Sequence, residues 1–133
     1  MIASHHKCTG RRNFWRSLET LALLLQARHY QLVALDMYPY TACSTVLNAE
    51  MVEQSFKAVI TWCDPHPEVF ARDLNEIART LGCTTTEAVR KLQPAGALYV
   101  MMDEADVTSI LCSPNAMIGS DGLPEDEHPH PRL

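Results

Sequence analysis

The stretch AMIGSDGLP, Ala116 to Pro124, limits the possible folds of this chain more than any other. An apolar run of Ala116, Met117 and Ile118 passes through Gly119 and Ser120 to Asp121, and Gly122 and Pro124 then turn the chain away. Parallel strands are covered on both faces and so read as short apolar runs. In barrel-type α/β folds chemistry collects at their C-terminal ends. Asp121 stands at such an end, where it either serves a site or closes a turn through its own backbone.

Two other runs finish in the same way. Met1 to Ser4 leads into His5, His6 and Lys7, and Leu32 to Leu35 leads into Asp36, Tyr38 and Tyr40, where Pro39 stops regular pairing. Between them Leu18, Leu21, Ala22 and Leu25 recur at i, i+3, i+4 and i+7, which predicts a helix over Ser17 to Arg28 with that stripe turned inward. Thr41 to Phe56 reads as a loop and then a short helix from about Ala49. Ala58 to Trp62 reads as extended, closed by Pro65 and Pro67. Glu68 to Leu81 carries Leu74, Ile77, Ala78 and Leu81 at helical spacing and stops at Gly82, a C-cap residue. Thr84 and Glu87 have capping-box spacing before Ala88, Val89 and Leu92, and that helix ends before Pro94. Gly96 to Met102 is extended. Asp103 caps a helix to Leu111 with Val107, Ile110 and Leu111 inward, and Trp62 and Tyr99 belong to the core. The order is strand, helix, strand, a long mostly helical crossover, strand, which predicts an α/β fold with parallel pairing in one domain over residues 1–133.

With 133 residues, 47% of them hydrophobic, the chain has material for one ordinary domain. A whole (β/α)₈ barrel takes ~200 residues or more. The net charge of -5, with no basic run, argues against a nucleic-acid partner. No apolar stretch approaches the ~18 residues of a membrane span, and polar Ser4 to Arg12 does not suit a signal peptide. Cys8, Cys43, Cys63, Cys83 and Cys112 are odd in number and never in a CxxC arrangement, which fits a reduced, cytoplasmic protein.

Parallel strands of one sheet would bring the three polar ends to one rim, with an imidazole, an ammonium, phenols and carboxylates. These groups can hold a metal, activate water and grip an anion. An exposed polar loop face has the same spacing, so both readings stand at this level. His6, next to His5, is expected to face away from a metal because neighbouring extended residues point to opposite sides.

The motifs SHHK (Ser4 to Lys7), ETLAL (Glu19 to Leu23), YPYTA (Tyr38 to Ala42), ITWC (Ile60 to Cys63), RDLNEIA (Arg72 to Ala78), LQPAGALY (Leu92 to Tyr99), MMDE (Met101 to Glu104), MIGSDGLP (Met117 to Pro124) and HPRL (His130 to Leu133) run in order along the whole chain. Together they resemble the D-aminoacylase, or N-acyl-D-amino-acid deacylase, family of amidohydrolases. The resemblance implies the C-terminal-side part of a (β/α)₈ TIM-type barrel, about its last three strands with their helices. It implies zinc-dependent hydrolysis of N-acyl-D-amino acids to a carboxylate and a D-amino acid. In that reading His5 is a zinc ligand and Asp121 is both a metal ligand and the catalytic carboxylate. Lys7, Tyr38, Ser44 and Arg132 line the substrate site, and Met102 lies near the substrate side chain. The family's other zinc ligands, an HxH pair, a Cys and a further His, match no residue here, so these 133 residues alone are expected to hold zinc poorly and to turn over little substrate. Trp15 stands where the family pattern usually has Gly. The alternative is a non-catalytic half-barrel that pairs with a partner chain, or with itself, through its exposed sheet edges.

Overall fold

The first strand is only two residues long. In the computed structural model, which describes residues 1–114 and 116–121, β1 (Ile2–Ala3) is followed by α1 (Ser17–Ala27), β2 (Ala34–Met37), β3 (Ala42–Val46), α2 (Ala49–Gln54), β4 (Lys57–Cys63), α3 (Leu74–Thr80), α4 (Thr85–Leu92), β5 (Ala95–Val100), α5 (Glu104–Leu111) and β6 (Ala116–Ile118). The chain divides into two units, one made of Met1–Thr41 with the residues from Met102 onward, the other of Ala42–Met101.

In the first unit β2 lies between β1 and β6, and all pairing is parallel. Ile2 stands opposite Ala34, and Asp36 opposite Met117. Burial along β2 alternates: Leu35 and Met37 are buried, whereas Ala34 and Asp36 are half-buried, the period of two that separates the faces of a strand. Helices α1 and α5 pack together. Asp103 caps α5 by accepting from the Ala105 N–H.

The face of α1 differs from the expected one. Leu18 is 72% and Leu25 50% exposed, and Ala22 is exposed too. The inward residues are instead Ser17, Thr20, Leu21 and Leu24, with Leu21 and Leu24 beside Val33 and Leu35. The cause lies at the helix start. Arg16, the N-cap residue, makes no side-chain cap, and the buried carboxylate of Asp106 on α5 accepts instead from the Trp15 and Ser17 N–H groups, at 2.6 and 3.0 Å. The Ser17 N–H is a donor that a helix N-terminus leaves without an internal partner and the Trp15 N–H lies just ahead of it, so satisfying both from α5 fixes the rotation of α1.

The second unit corrects the expectation of a mostly helical crossover with parallel pairing. It holds an antiparallel sheet in the order β3-β5-β4. Ala42–Val46, expected as loop, is its strand β3. Ala95, Gly96, Ala97, Leu98 and Tyr99 of the central β5 are all buried. The Tyr99 hydroxyl donates to the Val46 carbonyl and accepts from the Asn48 N–H, both at 3.0 Å. Trp62, expected in the core, is 40% exposed: its indole lies across Gly96 at an irregularity in the β4–β5 register, and a Cβ there would collide with it.

Helix α3 starts later than the spacing predicts, because Asp73 takes the N-cap and accepts from the Asn75 and Glu76 N–H groups. It ends as expected at Gly82, whose φ of 62° suits glycine, with Gly82 N–H bonding Arg79 O and Cys83 N–H bonding Ala78 O. The capping box of Thr84 and Glu87 opens α4 with both halves made. All five cysteines are free thiols. No helix among the described residues is long and apolar enough to cross a membrane.

Candidate functional site

Three chain segments leave the parallel sheet on the same side and are tied to one another there. Beyond β1, the His6 N–H bonds the Asp36 carbonyl at 2.8 Å. Beyond β6, the Gly119 N–H bonds the Met37 carbonyl at 2.9 Å. These bonds extend the two outer ladders past the regular strands, so that the residues after β1 and β6 converge over the end of β2. There the His5 Nδ1 and an Asp121 carboxylate oxygen stand 3.2 Å apart, with the imidazole 43% and the carboxylate 21% exposed.

Both residues have backbone in the left-handed region, φ 52° in each case. His and Asp are among the non-glycine residues that adopt it more readily, but it is uncommon, and such conformations concentrate at functional sites. Asp36 holds one of them: its Oδ1 accepts from the His5 N–H and its Oδ2 from the Ser4 hydroxyl, each at 2.8 Å. The His5 backbone bond, then the Ser4 hydroxyl, hold its carboxyl below the usual range, with smaller help from the charges of His5 and Lys7.

Tyr38, buried, stands beside this pair. Its ring meets the His5 ring edge-on at 5.9 Å, and the Lys7 Nζ lies 3.0 Å from its hydroxyl and 4.7 Å from its ring centroid. The Tyr40 ring lies 5.8 Å from that of Tyr38, tilted by 30°. An ammonium and a phenol are thus held together near a carboxylate and an imidazole. The first pair can receive an anion, and the second can move a proton or bind a cation. His6 faces elsewhere: its Nε2 is 3.0 Å from the Thr20 hydroxyl of α1, and burial lowers its pKa.

His5, Lys7, Tyr38 and Asp121 are therefore together. Met102 is buried in the same unit, bridged to Thr9 two residues after Lys7, with its N–H on the Thr41 carbonyl. Ser44 lies in the second unit, half-buried on β3 opposite Leu98. Arg132 lies outside the described residues. Sequence reasoning placed Asp36 at the rim without its role of holding the His5 backbone, and it missed Asp106 altogether. Trp15 has φ 62°, a left-handed conformation that glycine adopts most readily.

No protein-family model matches the chain. Its whole length is 53% identical to a D-aminoacylase of Alcaligenes xylosoxydans xylosoxydans, of which it spans 28%. Over 99% of its length it is 48% identical to an N-acyl-D-glutamate deacylase of the same organism, of which it spans 27%. The chain matches one segment of the D-aminoacylases. A D-aminoacylase structure described by its binuclear metal centre superposes on 98% of the chain with a TM-score of 0.88 at 53% identity. That of the N-acyl-D-glutamate deacylase from Bordetella bronchiseptica, complexed with zinc and a phosphonate inhibitor, does so at 0.91 and 48%. The chain spans about 28% of each of those D-aminoacylase-type structures.

Catalytic zinc takes about three protein ligands. Among the described residues no group of three His, Cys, Asp or Glu side chains converges, so His5 and Asp121 do not by themselves make up such a ligand set.

Proposed function

We propose that the chain forms the His5 and Asp121 side of a deacylase site for N-acyl-D-amino acids, within the C-terminal-side part of a (β/α)₈ barrel. The observation that carries this reading is the 3.2 Å approach of those two side chains at the ends of strands in one parallel sheet. Similarity over the whole chain to deacylases supports it. The proposed cofactor is zinc, with further ligands from beyond the described residues. A reducing, cytoplasmic setting suits the five free thiols.

In this reading Asp121 takes a proton from the attacking water as the water oxygen bonds to the amide carbon. It returns that proton to the nitrogen as the carbon–nitrogen bond breaks, leaving a carboxylic acid and a D-amino acid. Lys7 and the Tyr38 hydroxyl, already paired, receive the substrate's free carboxylate, joined by Arg132. Asp36 keeps the His5 backbone, and with it the imidazole, at the rim. Ser44 and Met102 are proposed to line the substrate site.

The experiment is a chimera in which the matching segment of the Alcaligenes D-aminoacylase is replaced by this chain. The expected result is zinc retention and hydrolysis of an N-acetyl-D-amino acid, cut at least a thousandfold by Asp121→Asn, with Lys7→Met acting mainly on KM. A folded chimera with zinc and no turnover, or one indifferent to Asp121→Asn, overturns the reading. The 133-residue chain by itself is expected to hold far less than one zinc and to turn over little substrate.

A further inference from the structure

The second unit holds a cleft of about 280 Å³ that the proposed chemistry does not use. Its floor is apolar, made by buried Ala58 of β4, Leu74 of α3 and Val89 of α4. Glu53 of α2 and Lys57, the first residue of β4, line it and remain exposed. The local fold puts both there. The Ser55 hydroxyl donates to the Val52 carbonyl as α2 ends, and the Phe56 N–H bonds the Val100 carbonyl at 2.8 Å, so the chain passes from α2 to β4 in two residues. Across the cleft, an isolated bridge between Val59 and Asp73 ties the start of α3 to β4.

The two charges share this cleft without pairing. Among the described residues neither the Glu53 carboxylate nor the Lys57 ammonium has an ion-pair or hydrogen-bond partner in the protein, and the side chains of Asn75, Thr85 and Thr86, which also line the cleft, make no hydrogen bond. The helix starts beside it are already taken. The Asp73 carboxylate accepts from the Asn75 and Glu76 N–H groups, and the Glu87 carboxylate accepts from the Thr84 N–H and hydroxyl, so each helix start carries an anion of its own. A simple anion entering the cleft meets Lys57 but is repelled by Glu53, and a simple cation meets the reverse. A ligand that carries both charges on a short apolar body satisfies both walls and the floor.

We infer that the cleft binds a free amino acid with an aliphatic side chain, its carboxylate on Lys57, its ammonium on Glu53 and its side chain over Ala58, Leu74 and Val89. The volume lies just under the ~300 Å³ at which small-molecule pockets begin, which limits the occupant to a small molecule. The Asn75 amide and the Thr85 and Thr86 hydroxyls supply further donors and acceptors to its polar end. Both charged side chains are exposed, so water screens their attraction and the binding is weak, with a dissociation constant of about 1–10 mM. The site lies wholly within the second unit and does not rest on the proposed deacylation at His5 and Asp121.

The test follows backbone amide shifts of the full 133-residue protein, labelled with nitrogen-15, as leucine is added in either enantiomer. Saturable shifts are expected at Ser55 to Ala58, Asn75, Thr85 and Thr86. Two truncated probes separate the charges: 4-methylpentanoate lacks the ammonium, 3-methylbutylamine lacks the carboxylate, and each should bind at least fivefold more weakly than leucine. Lys57→Met and Glu53→Gln should each weaken leucine at least fivefold, and Lys91→Met, an exposed lysine of α4 that does not line the cleft, should leave it unchanged. Glu53 and Lys57 are exposed and unpaired, so both variants should keep the circular dichroism and melting of the parent. The inference is overturned by the absence of saturable shifts with both enantiomers, by shifts confined to residues away from the cleft, by a truncated probe that binds as tightly as leucine, or by affinity indifferent to Lys57→Met and Glu53→Gln.

Discussion

The two units hold equal numbers of described residues and are built very differently. The second buries more than twice as many apolar side chains as the first, with Tyr99, Leu47, Ile60, Leu74, Ile77 and Leu92 almost wholly inside. The first exposes Met1, Ile2, Trp15, Leu18, Leu23, Leu25, Tyr30, Leu32, Met117 and Ile118, twice as many large apolar residues as the second. The antiparallel sheet of the second unit is completed by local connections and capped helices. The parallel sheet of the first carries the polar rim, and among the described residues its outer strands β1 and β6 each pair only with β2. An antiparallel sheet can close on nearby chain, whereas a parallel one needs helices on both faces. Among the described residues, the unit that brings His5 and Asp121 together is the one with the smaller apolar core.

The largest expected effect is a difference in local stability within the intact chain. Fully burying one large apolar side chain contributes about 1.5–3 kcal/mol, so amides of β5 should outlast those of β1 and β2 in hydrogen exchange by about a thousandfold, or about 4 kcal/mol. Equal protection would show that the two units open together.

Next in size is Asp106→Ala. It leaves the buried Ser17 N–H and the part-buried Trp15 N–H without their acceptor, and an unsatisfied buried donor costs about 1–3 kcal/mol, so a loss of about 2–3 kcal/mol is expected, confined to the first unit. The check is exchange at α1 and α5 compared with α3 and α4. A change of less than 1 kcal/mol would mean that the rotation of α1 is set by its leucines.

Asp106 also shows where sequence reasoning runs out. Capping signals are local, and those at Asp103, Thr84 with Glu87 and Gly82 were legible because donor and acceptor lie within a few residues. An acidic residue in the first turn of a helix looks like any complement to the helix dipole. Nothing near Asp106 reveals that its carboxylate reaches back 89 and 91 residues. The stripe on α1 failed for the same reason: periodicity found the helix, but its rotation is fixed from α5. Ala42–Val46 was missed because ACSTV has neither an apolar run nor alternation and becomes a strand only through its register on β5. The polar strand ends were legible as clusters, since each lies within a few residues. That His5 and Asp121 face each other depends on the order of the sheet and on two left-handed backbones, which spacing does not encode.

A smaller effect is expected in the second unit from Tyr99→Phe, which removes the donor to Val46 and the acceptor of the Asn48 N–H, at a cost of about 1–2 kcal/mol. Burial raises the pKa of this phenol. Its neutral form is favoured in the folded protein, so its contribution is fully present below the unfolded value of about 10 and is lost as pH rises through the raised folded one. Alkaline melts of the parent should lose stability in that window, and Tyr99→Phe should lose less of it. Identical alkaline slopes would mean that the hydroxyl is wet.

The smallest expected effect separates the two halves of the capping box. Thr84→Ala removes the hydroxyl that accepts from the Glu87 N–H, and loss of an N-cap side chain costs about 1 kcal/mol. The other half survives, because Glu87 accepts from the backbone N–H of residue 84 whatever its side chain. That bond, with the Thr84 hydroxyl second, lowers the Glu87 pKa. A depressed carboxylate stabilises above its unfolded value, about 4.3, and the contribution is lost as pH falls through the folded one. The acid sensitivity of α4 should therefore persist in Thr84→Ala and vanish in Glu87→Gln, with both changes seen in the exchange of the second unit and neither in the first. If either substitution altered protection at β1 or α1, the independence of the two units would be lost, and with it the contrast between a well-buried second unit and an exposed first one.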